Sequence, residues 1–277
     1  MKKTWIIVGA AVVLAGIVLG VALKVKMSST HAGLSASESP RPHGSFEAMM
    51  QSAGVLRDKG ELLQAQEAYK DILAVYGAHP KIEDVQKTLE DVNMKILVSA
   101  INVPGKTATH IVKPGETLTA LARQYATTIE FIKKQNGLSS AVIRPGMHLR
   151  IWTGKFSVLV DKSQNILTLS SDADIVRTYR VSTGRGNITP VGTFKIVNKL
   201  MNPDWTHEGK VIPFGNPENI LGTRWMGFDV PGYGLHGTAE PEKIGQQVTA
   251  GCVRMLNNEV EELFDLLPVG TEVTIVD

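Results

Sequence analysis

Two stretches decide the reading of this chain: Gly234-Leu235-His236-Gly237-Thr238 and, shortly after, Val248-Thr249-Ala250-Gly251-Cys252-Val253-Arg254-Met255. They place the chain's one cysteine sixteen residues after a histidine and set both among small residues. A thiol of ordinary pKa is barely ionised near neutral pH, so a catalytic cysteine needs an imidazole or another positive neighbour to activate it. Gly251 permits a tight bend in which its own N–H and that of Cys252 aim at a developing oxyanion. Singly, a cysteine is usually a small buried hydrophobe and a histidine a hydrogen-bonded structural residue. Together, with Arg254 following, they read as a reagent. A metal site of Cys252, His236 and His207 has no H-E-x-x-H or C-x-x-C spacing behind it, so neither metal nor cofactor is expected.

Around these stretches the chain from Lys155 to Asp277 is β-rich. Short runs at Phe156–Val160, Ile166–Leu169, Ile175–Val181, Gly192–Val197 and Glu272–Val276 alternate with turn signals. This spacing predicts a mainly antiparallel sandwich or barrel-like sheet. One helix interrupts it, with Asn258 and Glu261 as a capping box before Val260, Leu263, Phe264 and Leu267. The long segment from Asn202 to Pro231 carries Trp205, His207 and Trp225. Its aromatics read as local core in preference to walls of a substrate site.

Upstream, His110-Ile111-Val112 predicts a strand, Lys113-Pro114-Gly115 a turn, and Glu116-Thr117 the start of a helix bearing Leu118, Leu121, Ala122 and Tyr125. Thr128 opens a second helix, Asn136-Gly137 closes it, and Arg144-Pro145-Gly146 turns into a strand at Met147–Ile151. Between Phe46 and Ala100 apolar residues recur at helical spacing, with Leu62, Ala65, Tyr69, Ile72 and Leu73 on one face and Ile82, Val85, Leu89, Val92 and Leu97 on another. Gly60, Gly77 and Pro80 punctuate these helices.

At the N-terminus an uncharged run from Trp5 to Leu23 would rise roughly 28 Å as a helix, close to a bilayer core. It predicts a membrane anchor in preference to a cleaved signal peptide, and both readings export the rest of the chain. Ser28–Ser45, rich in Ser, Pro, Gly and Ala, reads as a flexible tether. Lys and Arg number 29 against 27 Asp and Glu in 277 residues, too even a balance for a nucleic-acid partner. The organisation expected is therefore multidomain: 1–27 membrane segment, 28–45 linker, 46–102 helical, 107–153 a βααβ module, and 155–277 the mainly β domain.

The last domain resembles an L,D-transpeptidase catalytic domain of the YkuD type, through Gly184, Thr189-Pro190-Val191-Gly192-Thr193-Phe194, Leu235-His236-Gly237-Thr238 and Thr249-Ala250-Gly251-Cys252-Val253-Arg254. That resemblance implies Cys252 as nucleophile, His236 as general base and the Gly237 carbonyl as the group that orients the imidazole. It implies Gly251, Thr249, Arg254 and Tyr233 as oxyanion and substrate residues. Thr249 stands where many members have serine, and Ala250 where many have histidine or another polar residue. The implied reaction is acyl transfer from a peptidoglycan stem tetrapeptide, with loss of D-alanine, to an amine; hydrolysis and a non-catalytic scaffold are the alternatives. The βααβ module resembles a LysM domain, through His110-Ile111-Val112, Pro114-Gly115-Glu116-Thr117-Leu118, Ala122, Gln135-Asn136-Gly137-Leu138 and Arg144-Pro145-Gly146. This implies N-acetylglucosamine-containing glycan held between Gly115, Glu116 and Thr117 on one side and Asn136, Gly137 and Leu138 on the other. Val55–Val75 resembles a tetratricopeptide-type hairpin, but spans little more than one repeat where about three make a stable array. It reads as a spacer, leaving 46–100 open to a protein partner. The location implied is the bacterial envelope, outside the cytoplasm and anchored to the membrane.

Overall fold

The structure is a computed structural model that describes residues 44–277. The apolar run at Trp5–Leu23 and the tether as far as residue 43 lie outside them. No helix among the described residues is long and apolar enough to cross a membrane. The chain divides after Leu89 into two compact units.

The first unit is helical: α1 (Phe46–Asp58), α2 (Leu62–Val75) and the first part of α3 (Ile82–Val98). Ser45 caps α1 by accepting from the Ala48 N–H at 3.3 Å, satisfying one of the four donors a helix start leaves free. Ala53, Ala65, Tyr69, Ile72 and Val85 are buried, matching the apolar spacing. The Phe46 ring stacks on His79 with centroids 3.6 Å apart.

The second unit begins in α3 at Glu90 and contains both remaining modules. In the smaller, β1 (Thr107–Ile111) pairs antiparallel with β2 (His148–Trp152), and α4 (Leu118–Gln124) and α5 (Ile129–Gln135) lie between them in sequence. Thr117 caps α4 and Thr128 caps α5, each through its hydroxyl. Leu118, Leu121, Ile132, Leu149 and Ile151 form a core of their own. Phe131 and Trp152 turn away from it and join the larger core, where Phe131 meets Phe156 at 5.7 Å. The Thr128 hydroxyl donates to the Asp265 carbonyl, Trp152 Nε1 donates to Ser171 Oγ at 3.0 Å, and Lys134 pairs with Asp265 at 2.6 Å. A fully buried large apolar side chain contributes roughly 1.5–3 kcal/mol, against about 0–1 for an exposed ion pair. Packing of Phe131 and Trp152 therefore dominates this docking.

The larger module is a single mixed sheet of eight strands in the order β13-β11-β10-β7-β14-β3-β4-β5. Its strands are β3 (Phe156–Asp161), β4 (Ile166–Ser171), β5 (Asp174–Arg180), β7 (Gly192–Met201), β10 (Arg224–Phe228), β11 (Gly234–His236), β13 (Val253–Arg254) and β14 (Glu272–Val276). A separate pair joins β6 (Thr183–Gly184) to β12 (Gln247–Thr249), and β8 (Trp205–His207) with β9 (Lys210–Ile212) forms a hairpin. The mainly antiparallel sheet expected from the strand spacing is present: β3 to β5 and β7, β10 and β11 are antiparallel, while β14 joins β3 in parallel and links both halves into one ladder. Val158, Val160, Leu167, Leu169, Ile196, Val273 and Ile275 alternate inward and are at most 2% exposed. Helix α6 (Asn257–Leu266) packs on β10 and β11 through Val260, Leu263 and Leu266. The predicted capping box of Asn258 and Glu261 is not formed: the N-cap is Leu256, two residues earlier, and no side chain caps the helix.

Candidate active site

Strands β11 and β13 run parallel, with Leu235 opposite Val253 and His236 opposite Arg254. Successive side chains on a strand point to opposite faces, and neighbouring strands lie roughly 4.8 Å apart. Leu235 and Val253, both fully buried, face the core. His236 and Arg254 therefore share the other face, and Cys252, two residues before Arg254, opens onto the same cavity. Small residues are required here. Gly251 sits at φ +122°, and a Cβ on it would come within 2.7 Å of the Tyr233 ring.

The imidazole is held in one tautomer. His236 Nδ1 lies 2.7 Å from the Gly237 carbonyl oxygen; a carbonyl only accepts, so Nδ1 carries the proton and Nε2 keeps its lone pair. Trp225, the register partner of His236 on β10, stacks on the ring with centroids 6.1 Å apart. Burial, then the Arg254 charge, lower the His236 pKa to about 4, and the bond to Gly237 opposes them. Burial also pushes the Cys252 thiol up to about 11, against the lowering effects of the Gly234 N–H and Arg254. At rest the site thus holds a neutral thiol and a neutral imidazole. The thiol donates to the Gly232 carbonyl at 3.3 Å.

The loop before Cys252 is tied by Thr249, whose hydroxyl donates to the Cys252 carbonyl at 2.7 Å and accepts from the Gly251 N–H at 3.1 Å. That second bond corrects one expectation: the Gly251 N–H is already engaged and is not aimed at an oxyanion. Tyr233 lies against Gly251 and packs on the main core, not on the cavity wall. Arg254 Nη1 pairs with Glu240 at 3.0 Å, and Glu240 also bonds Lys243. Hydrogen bonds from Lys243 and Arg254 hold the Glu240 carboxylate below its ordinary pKa.

The cavity has a volume of about 360 Å³ and is walled chiefly by Leu200, Pro203, Trp205, Leu221 and Trp225 around Cys252 and His236. Trp205, His207 and Trp225 are thus corrected from local core to cavity wall, whereas Phe228 of the same segment is core. Trp205 lies on the β8–β9 hairpin, where it stacks on His207 at 4.5 Å, and its alternating strand pattern was too short to read. Among the described residues no three His, Cys, Asp or Glu side chains gather to hold a metal ion.

In the smaller module the two predicted loops are present, but their polar side chains are already committed. Glu116 binds His110 Nε2 at 2.7 Å and the Lys113 N–H at 2.8 Å. Thr117 caps α4. Asn136 donates to the carbonyls of Ile132 and Arg150 and accepts from the Arg150 N–H. Gly115 and Gly137 adopt positive φ, with nothing near a would-be Cβ, and Leu138 packs on the module's core. Sequence reasoning missed Asn257 altogether, although its place directly before a helical apolar pattern was the available signal.

Residues 155–275 match the family model of the L,D-transpeptidase catalytic domain, YkuD, and residues 110–152 match that of the LysM domain. Two relatives named for the transpeptidase family come from Bacillus subtilis (strain 168). YqjB is 43% identical over 126 residues, covering 43% of this chain and 70% of that protein. YkuD is 32% identical over 174 residues, covering 60% of this chain and 98% of that protein. A YkuD from Bacillus licheniformis is 34% identical over 172 residues, covering 59% and 96% respectively. The chain belongs to the L,D-transpeptidase family, and it carries a LysM domain ahead of the catalytic one.

Proposed function

We propose that this protein is a peptidoglycan L,D-transpeptidase working outside the cytoplasm, with Cys252 as nucleophile, His236 as general base and the LysM domain holding glycan. The observation that carries this reading is the locked imidazole: with Nδ1 bound to Gly237, Nε2 is left as a base on the face and cavity it shares with Cys252.

The neutral imidazole takes the thiol proton as sulfur attacks the carbonyl preceding the terminal D-alanine of a stem tetrapeptide. The tetrahedral intermediate collapses to a thioester, and the imidazolium returns the proton to the departing D-alanine amine. An amine of a second stem then attacks the thioester, His236 accepts its proton, and the thiol is regenerated. With the Gly251 N–H engaged, the Cys252 N–H is the backbone donor assigned to the oxyanion. Arg254, buried and paired with Glu240, favours the anionic sulfur and disfavours the cationic ring. The smaller module's committed side chains direct glycan binding to backbone groups and to the open glycine turns at Gly115 and Gly137.

Intact-mass measurement on the purified protein tests this reading. A covalent adduct at Cys252 is expected with a stem tetrapeptide or a carbapenem-type acylating agent, absent in Cys252→Ala. A folded protein that forms no adduct with either refutes it. Peptidoglycan pull-down should survive that substitution.

A further inference from the structure

We propose that Asn257 is a positioning residue for the base, fixing the imidazole tautomer through the peptide plane that joins Gly237 to Thr238; this rests on the role of His236 proposed above. Asn257 opens α6 but does not cap it. Its carboxamide instead spans the loop after β11: Oδ1 accepts from the Thr238 N–H at 3.0 Å and the Thr223 N–H at 3.2 Å, while Nδ2 donates to the Thr238 carbonyl at 2.8 Å. One side chain therefore satisfies both backbone groups of Thr238.

The consequence for the base follows from peptide planarity. The Thr238 N–H and the Gly237 C=O belong to one rigid trans unit and point in opposite directions. Holding the N–H on Asn257 aims the carbonyl the other way, where it accepts from His236 Nδ1 at 2.7 Å. The fit leaves no slack. A Cβ at Gly237 or at Gly222 would lie 2.2 Å from Asn257 Oδ1, so the amide rests directly on both backbones. The chemistry is also specific: the site needs an acceptor for two N–H groups and a donor for one carbonyl, which a carboxamide supplies and a carboxylate does not. Asn257 is not among the cavity walls, so it acts through His236 and does not touch the reacting atoms.

The test compares wild type, Asn257→Ala and Asn257→Asp in the full chain. Single-turnover acylation by a carbapenem, followed by intact mass across reagent concentration, separates saturating rate from half-saturation. Proton NMR follows the imidazole Nδ1–H, whose bond to Gly237 predicts a low-field, slowly exchanging signal. A small misplacement in a catalytic array costs up to about a hundredfold in rate. Asn257→Ala is expected to lower the saturating rate about 10- to 100-fold with half-saturation unchanged, and to lose the Nδ1–H signal while the fold is retained. Asn257→Asp, which keeps both acceptor bonds, should fall between. A folded Asn257→Ala that acylates within about twofold of wild type and keeps the Nδ1–H signal overturns the proposal. If Asn257→Ala does not fold, Asn257→Ser, which also lacks the carboxamide, decides: a rate within about twofold of wild type with the Nδ1–H signal kept overturns the proposal, and a larger loss of rate with loss of that signal supports it. Should wild type itself never acylate, the reaction reading fails, and the NMR comparison still decides whether Asn257 sets the tautomer.

Discussion

Alkylation of Cys252 by iodoacetamide, measured against pH beside carbapenem acylation, probes the protonation state of the resting site. Burial shifts the thiol from an ordinary 9 to about 11. At pH 7 this cuts the thiolate fraction about a hundredfold, to roughly one in ten thousand. A more basic thiolate is intrinsically more nucleophilic, with a Brønsted slope of about 0.4–0.5, which recovers about tenfold. The net expectation is alkylation about tenfold slower than that of the same cysteine in urea-unfolded protein, rising about tenfold per pH unit from 6 to 9. On the proposed mechanism acylation behaves differently, because His236 would remove the proton during attack. With the imidazole lowered to about 4, acylation should stay flat from pH 6 to 8 and fall only as the ring protonates towards pH 4. Rates come from intact mass under pseudo-first-order reagent. An alkylation profile with a plateau and an inflection near pH 6 would mean a preformed thiolate–imidazolium pair, and the account of a buried neutral pair would be wrong.

The same burial makes His236 a stability determinant. Its folded pKa lies below the ordinary 6.5, so between pH 6.5 and 4 the unfolded chain binds more protons. The stability His236 contributes above 6.5 is therefore lost as pH falls, by about 3 kcal/mol at pH 4. Urea unfolding of wild type against His236→Asn should show the difference shrinking by that amount over the window; a constant difference refutes it. Thr249→Val removes the acceptor of the Gly251 N–H and the donor to the Cys252 carbonyl. A loss of about 1–3 kcal/mol is expected in the same assay, with slower acylation; unchanged stability and rate would show that the hydroxyl does not hold the loop.

Local pattern made several features legible from sequence: the strand alternation at Val158 and Val160, the threonine caps at Thr117 and Thr128, and the grouping of His236 with Cys252. What escaped depended on long-range pairing. The parallel β14–β3 contact joins residues more than a hundred positions apart, and no local pattern distinguishes it from an antiparallel partner. The bond from the Gly251 N–H to the Thr249 hydroxyl is another feature that exists only once the loop folds, so no local pattern announces it. The capping pattern at Asn258 points two residues past the observed N-cap, Leu256, because helix starts are uncertain by about one or two residues, and the amide that grips Thr238 is that of its neighbour Asn257.

Phe131 and Trp152, sunk into the larger core, leave the LysM domain without a swivel. A sugar chain seated on it would be presented at a constant offset from the sulfur, unlike the sweeping search a loose tether allows. If the proposed function holds, the protein would then behave as a gauge, selecting stems by their spacing along a glycan strand bound to that domain. Shortening or lengthening the glycan should change yield in steps of one disaccharide, whereas cutting the docking contacts should smooth those steps away.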